Sequence, residues 1–370
     1  MTITVRDISA YMDNWAPPGW AYPWDRVGLH TGSPTQNVER ILVCLTVTPA
    51  VVASAKRAGA SMIVAHHPLV WAPLKTLRED NPHTRLCLDI CRANIACFAA
   101  HTNLDVAPDG VNAALAEKLQ LEDKAILFPE PHLDQVKIVT FVPDTHQRAV
   151  CNALAEAGAG VIGEYTHCSF SAPGVGAFLP GASTTPFVGA KNIVNEEPEL
   201  RVEMLVDKAR LAGVVQALYD AHPYEEPAYD IVTLENKNER AGLGMTGALP
   251  HALPLRDFAD YVRDALAAPY VKVHGSGRKK VRRVAVLGGS GGDFVTRLPE
   301  AIDAYVTGDI SYHHGETARL RGIACLDAGH YATELPIVGI IAARLRKAFP
   351  TLGVTLCGER EPVYVATEDK

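Results

Sequence analysis

The feature that most constrains this chain is a repeated exchange of two periods. Short apolar runs, too brief for helices, alternate with amphipathic helical patterns. "RILVCLTV" (40–47), "SMIVAHH" (61–67) and "IACFAAHTNLD" (95–105) are the apolar runs. "TPAVVASAKRAGA" (48–60), "PHTRLCLDICRAN" (82–94) and "GVNAALAEKLQL" (110–121) are the helical patterns, the first with Pro49 in its first turn. "TVRDISAYMDNWAP" (4–17) reads as an opening helix. A strand that is apolar along its whole length is buried on both faces. The rhythm therefore predicts a mostly parallel sheet covered by helices, an α/β class.

Between about residues 135 and 235 the rhythm changes. "VKIVTFVP" reads as a strand and "THQRAVCNALAEAGAG" as a helix. "IGEYTHCSFSAPGVGAFLP" reads as two strands around a Pro-Gly turn, "ELRVEMLVD" as a strand, "ARLAGVVQALYDAHP" as a helix and "PAYDIVTLE" as a last strand. This is a βαββαβ, ferredoxin-like plan. Its flanks, "EDKAILFPEPHLDQ" and "ENKNERAGLG", are polar or carry Pro and Gly, so the segment reads as an inserted α+β domain. From about residue 240 the α/β rhythm returns. Helices are predicted at "LRDFADYVRDALAA", "GDFVTRLPEAID", "SYHHGETARLRG" and "ATELPIVGIIAARLRKAF", with strands at "RRVAVLGG", "AYVTGD", "IACLDAGH" and "VTLCGER". The predicted organisation is an α/β lobe at 1–130, the insert at 135–235, and a second α/β lobe at 240–370.

Composition narrows the function classes. The net charge is −7, which argues against a protein that coats nucleic acid. No apolar window is long enough for a membrane span, and the first residues lack the pattern of a signal peptide. Eight cysteines are scattered, most within apolar patterns. They read as reduced, buried thiols of a cytosolic protein, and Cys87 and Cys91, one helical turn apart, as core residues.

Ligands of parallel α/β sheets sit beyond the carboxyl ends of the strands. Those ends are occupied by imidazoles and carboxylates. His66 and His67 follow "MIVA", and His101 and Asp105 follow "ACFAA". Asp309 and then His313 follow "AYVT", while His330 and Glu334 follow "ACLDAG". His330 and Glu334 are four apart and share a helical face. Pro68 ends the strand after His66 and His67, so both rings can fan outward, an arrangement suited to two neighbouring metals. Asp105 and Glu334 supply negative charge, and a carboxylate can bridge. Nitrogen and oxygen donors without thiolate suit Zn, Mn, Fe, Co or Ni. Such a site acidifies bound water. His101, His313 and Asp309 are candidates for orienting ligands or moving protons.

The stretches "WDRVGLHTG" (24–32), "VAHHP" (64–68), "HTNLD" (101–105), "TGDISYH" (307–313) and "GHYATE" (329–334) resemble, in order, the motif set of the GTP cyclohydrolase I type 2 homologues, the Ngg-interacting-factor-three-like proteins. "GEYTHCSF", "GVGAFLP" and "HPYEEPAYDI" are similar to the PII/CutA-like insert of longer members. The resemblance implies a two-metal cleft between two α/β lobes, held by His66, His67, Asp105, His330 and Glu334 with Glu334 bridging. It also implies a toroidal homohexamer and hydrolytic opening of the guanine imidazole ring of GTP. A non-catalytic role in metal binding, metal delivery or regulation is the alternative.

Other features are read more plainly. "LGGSGGDF" (287–294), with Gly288–Gly292, is a tight turn or a phosphate cradle without the lysine of a P-loop. The basic run Arg278–Arg283 reads as a solvated loop. His30, His167 and His314 read as structural or solvated, and "HPYEEPAYD" as a turn or subunit contact.

Overall fold

The computed structural model describes residues 2–130, 134–163, 165–236, 241–275 and 280–358. The chain forms two compact units. One comprises Met1–Pro129 with Arg240–Lys370, the other Glu130–Glu239.

The first unit opens with helix α1 (Val5–Trp15), strands β1 (Gly28–Thr31) and β2 (Arg40–Cys44), helix α2 (Pro49–Ala58), strand β3 (Met62–Ala65), helix α3 (Pro82–Arg92) and strand β4 (Ala96–Ala99). Short helix α4 (Thr102–Asp105), helix α5 (Val111–Lys118) and strand β5 (Glu122–Pro129) follow. The second unit contains β6 (Gln135–Val142), α6 (Gln147–Glu156), β7 (Ser169–Phe178), β8 (Asn195–Asp207), α7 (Leu211–Ala221) and β9 (Tyr229–Thr233). The first unit resumes with β10 (Gly242–Pro254), α8 (Leu255–Leu266), β11 (Lys272–His274), β12 (Lys280–Ser290) and β13 (Ala304–Gly308). It ends with α9 (Tyr312–Arg321), β14 (Ala324–Asp327), α10 (His330–Glu334), α11 (Pro336–Ala348) and β15 (Gly353–Leu356).

The first unit has two sheets. One runs β1-β4-β3-β2-β15, parallel except for β1. Successive strand residues point to opposite faces. Ile41, Val43, Met62, Val64 and Phe98 therefore pack against α1 and α11, through Ile8, Ile337, Ile341 and Leu345. Leu42, Cys44, Ile63, Ala65 and Cys97 pack against α2 and α3, through Val51, Ala55 and Ile90. Local signals set the helix ends. Thr48 caps α2 by accepting from the Val51 amide, Pro49 sits in its first turn, and Gly59 closes it with a left-handed φ of 63°. The other sheet runs β11-β14-β13-β12-β10-β5 with β12, β13 and β14 parallel.

Several boundaries differ from the sequence reading. Strand β15 pairs in parallel with β2, and α11 packs on the first sheet, so residues 240–370 do not form one lobe. In exchange, β5 pairs with β10 in the second sheet, where a polar flank had been expected. Helix α5 serves both cores, with Val111 and Ala114 on one side and Leu115 and Ala116 on the other. The short strands β1 and β11 and the irregular β10 carry weak patterns and were not anticipated. Residues 292–297 form a 3₁₀ helix where an α-helix was predicted. Cys87 is buried but Cys91 is exposed. Arg278 lies outside the described residues, whereas Arg282 and Arg283 belong to β12, their amides donating to Asp303.

The second unit is an antiparallel sheet in the order β7-β8-β6-β9. Counted within the unit, that is second, third, first, fourth, the ferredoxin-like arrangement. Val150, Leu154, Val214 and Leu218 of α6 and α7 pack on Val136, Ile138, Val202 and Met204. The expected Pro-Gly turn is instead the middle of β7, with Pro173 opposite Leu200 and Gly174 opposite Glu199. An edge strand tolerates a proline that a central strand would reject. Among the described residues, no helix is long and apolar enough to cross a membrane.

Candidate metal centre

The site is built at strand ends of the first unit. Strand β3 stops at Ala65, and the amides of His66 and His67 continue onto the carbonyls of Cys44 and Leu45. His101 follows β4, and Asp105 ends α4, one turn later. Asp309 follows β13 with φ of 56°, and α10 carries His330 and Glu334.

Four imidazoles each have Nδ1 held by a partner. His66 Nδ1 lies 2.8 Å from the Ala100 carbonyl, and His67 Nδ1 lies 2.7 Å from Thr46 Oγ1. His101 Nδ1 is 3.0 Å from Asp25 Oδ2, and His330 Nδ1 is 2.8 Å from Asp309 Oδ2. This is how proteins orient imidazoles that ligate through Nε2. Three of the Nε2 atoms approach carboxylates. His67 Nε2 is 2.9 Å and His330 Nε2 3.1 Å from Glu334 Oε2. His66 Nε2 is 3.6 Å from Asp105 Oδ1 and 3.8 Å from Glu334 Oε1. The two oxygens of Glu334 thus face different imidazoles. Donors sharing one ion at ~2.1 Å stand roughly 3–3.5 Å apart. His66 Nε2 and Asp105 Oδ1 are buried and have no hydrogen-bond partner, a costly state that a shared cation would relieve. The residues therefore fit a metal.

Among the described residues, two groups have ligand atoms all within 4.8 Å of one another: His66, His67 and His101, and His67, His330 and Glu334. His101 thus stands among possible ligands, where the sequence reading had placed it as an orienting or proton-moving group. Asp309 holds His330. His313 is exposed on α9, its ring against Tyr312, and is not among the residues brought together. His314 belongs to the N-terminal capping box of α9 and reaches Asp293. His30 accepts from the Val70 amide, tying β1 to the loop after His67.

Glycines make room for the cluster. Gly289 has φ of 71°, and a Cβ there would fall 2.1 Å from Glu334 Oε1. The amides of Gly288 and Gly289 donate to Asn112 Oδ1 and Thr333 Oγ1. These two amides are therefore committed, and Gly288 and Gly289, expected in a turn, are the end of β12 and act as a packing device at this end instead of an open phosphate cradle.

Electrostatics follow the packing. Burial opposes charge on His66 and His330, but Glu334 with Asp105, and Glu334 with Asp309, outweigh it and raise each to about 9. Burial dominates at His67 and lowers it. Burial raises Asp105 to about 6 against the pull of His66 and His101. At Glu334 burial is overcome by the three imidazoles, which hold it well below the usual carboxylate range. Burial of Asp25 is likewise outweighed, by His101 and Thr102, leaving it at about 2.

Asp25, Thr46, Asn112 and Thr333 were missed as supports. Only Asp25 had a usable signal, the aspartate of "WDRVGLHTG". Two large aromatic residues border the cluster. The Trp71 ring meets His101 edge-on at 5.0 Å, and Trp24 lies 6.2 Å from it. They remain 50% and 59% exposed, respectively.

The family model for Duf34/NIF3 (NGG1p interacting factor 3) matches residues 3–361. The GTP cyclohydrolase 1 type 2 homolog of Halalkalibacterium halodurans is 37% identical over 329 residues, covering 89% of this chain and 88% of that protein. The protein of the same name from Bacillus subtilis is 36% identical over 340 residues, covering 92% and 91%. The crystal structure of a Bacillus cereus protein related to NIF3 superposes with a TM-score of 0.80 at 34% identity, covering 99% of this chain and 100% of that one.

Proposed function

The chain belongs to the Duf34/NIF3 (NGG1p interacting factor 3) family, and on that footing we propose that it holds two divalent cations and hydrolyses a nucleotide with them. His66, Asp105 and Glu334 Oε1 would hold one cation. His67, His330 and Glu334 Oε2 would hold the other, with His101 facing the pair. Zn, Mn, Fe, Co and Ni all suit this donor set. Bound there, the cations supply Lewis acidity and lower the pKa of water. Asp25 and Asp309 keep His101 and His330 aimed inward. Trp24 and Trp71 offer ring faces to a flat heterocycle beside the cluster.

The observation that carries the metal reading is the common orientation of four imidazoles, each pinned at Nδ1. The nucleotide reading is supported by the exposed tryptophans and by the names of the relatives. Guanine ring opening in GTP, with release of formate, is the reaction we assign first. The test is formate release from GTP by protein loaded with Zn, Mn, Fe or Co. His67→Ala and Glu334→Ala should abolish it.

A second reading, metal storage or delivery without catalysis, is favoured by the half-exposed His330–Asp309 pair, which leaves a path for ion exchange. Two metals per chain with no turnover of any nucleotide would select it. We further propose a cytoplasmic homohexamer and a PII/CutA kinship for the second unit, resting on the sequence resemblance.

A further inference from the structure

The second unit contains a cavity of about 560 Å³ that neither the fold nor the metal centre uses. Its walls include the rings of Phe141, Phe178, Phe187 and Tyr224. Tyr224 lies at the centre of this group, 6.1 Å from Phe187 and 6.5 Å from Phe178. Its phenol donates to Glu199 Oε1 at 2.7 Å. His222 fixes the segment behind it, with one ring nitrogen 3.0 Å from the Phe141 carbonyl and the other accepting from the Tyr224 amide. The loop that carries Phe187 is tied across by Glu225, which accepts from the Thr185 amide. The cavity is thus a braced structure and not a gap between unconnected loops.

Its charge is one-sided. Among the described residues, Glu199, Glu225 and Glu226 line it, against one cation, Arg201. That guanidinium is already paired with Glu203, at 2.9 Å, and rests over Phe141. A Cβ on Gly176 would fall 2.2 Å from Glu199 Oε2, so glycine at this position lets the carboxylate lie against the strand. Aromatic faces attract a cation through their quadrupole, and the attraction grows as water is displaced. Carboxylates at the rim select against anions.

We propose that this cavity binds an organic cation, an amine with a flat apolar body, its ring among Phe178, Phe187 and Tyr224 and its ammonium toward Glu199 and Glu226. This would give the second unit a ligand of its own, whatever chemistry the metal centre performs.

The test uses the full chain and three probes of one shape: 2-phenylethylammonium, 2-phenylethanol and 3-phenylpropanoate. Calorimetry and ligand-observed NMR should show saturable binding of the cation, with the alcohol and the carboxylate weaker by about tenfold or more. Glu199→Gln keeps an acceptor for Tyr224 and should weaken the cation by about tenfold, as should Phe187→Ala. The exposed Glu226→Gln should also weaken it, with an unchanged melting temperature showing that the fold is intact. Equal binding of all three probes, no saturable binding of the cation, or binding indifferent to both glutamate substitutions would overturn the proposal.

Discussion

Gly289→Ala tests the metal centre without replacing any of the proposed ligands. The native φ of 71° lies in the left-handed region, so alanine there costs roughly 1–2 kcal/mol of backbone strain. The added Cβ would also sit 2.1 Å from Glu334 Oε1, 3.1 Å from Cδ and 3.2 Å from His330 Nε2. Carbon and oxygen need about 3.2 Å or more, so the carboxylate must retreat by roughly 1 Å. Metal sites tolerate only ~0.2 Å in ligand distance. The substitution should therefore lower metal affinity by at least about 10–100-fold, the range seen when ligand supports are removed. Gly322→Ala is the control. It has a similar φ of 67°, at the C-terminus of α9, with nothing within 4 Å of the added carbon. Both variants should lose roughly 2–6 °C in melting temperature, but only Gly289→Ala should lose metal, measured by elemental analysis after dialysis against buffered free ion. Full occupancy in Gly289→Ala, or equal loss in both variants, would refute the placement of Glu334 at the ions.

Three further outcomes follow from individual residues. Asp25→Asn removes the charge that holds the His101 Nδ1–H, and should cut metal affinity by about 10–100-fold, read by competition with a chelating dye. Trp71→Ala should raise KM for the nucleotide several-fold with a smaller effect on kcat, because the ring borders the imidazoles without ligating; a kcat effect alone would argue against stacking. Asp13 bears on stability. Burial raises it from 3.8 to about 6, and its Oδ1 has no partner. Its folded pKa exceeds its unfolded one, so this group's favourable contribution is complete below about pH 4 and is lost as pH rises through 6. Asp13→Asn should therefore stabilise by about 1 kcal/mol at pH 7, after discounting for solvent screening, with the gain vanishing near pH 4 in thermal melts.

The clustering of these imidazoles and carboxylates is legible because strand ends are legible. An apolar run followed by a polar residue and Pro68 marks where a strand stops, and in a parallel sheet that stop faces the ligand side. His66, His67, Asp105, His330 and Glu334, the residues proposed as ligands, all stand after such strand ends, and the structure brings their side chains together. The role of His101 is not legible there, since a histidine at a strand end gives no sign of which nitrogen is already engaged. Its Nδ1 is held by Asp25, which lies 76 residues earlier, and that pairing fixes the ring. Thr46 and Asn112 were invisible for a related reason. Neither pattern nor period distinguishes a support from any other polar residue in a turn. The insert is legible as a plan, yet Pro173-Gly174 carries the local chemistry of a turn, and an edge strand tolerates both residues.

The lobe assignment failed for a reason that also explains where the site lies. A linear reading assigns residues to lobes in blocks, but the chain exchanges elements between the two sheets, sending β5 one way and α11 with β15 the other. Helix α10, which carries His330 and Glu334, stands where this return crossing begins. Its Ala332 packs in the core of the second sheet, and α11 directly after it packs on the first. Glu334 is thus anchored at the junction of two cores, 96% buried and fixed by packing on both sides. A carboxylate that bridged two ions, as proposed for Glu334, would have to satisfy partners that come from separate elements. The crossing accordingly places a buried carboxylate where His66 and His67, from the first sheet, meet His330.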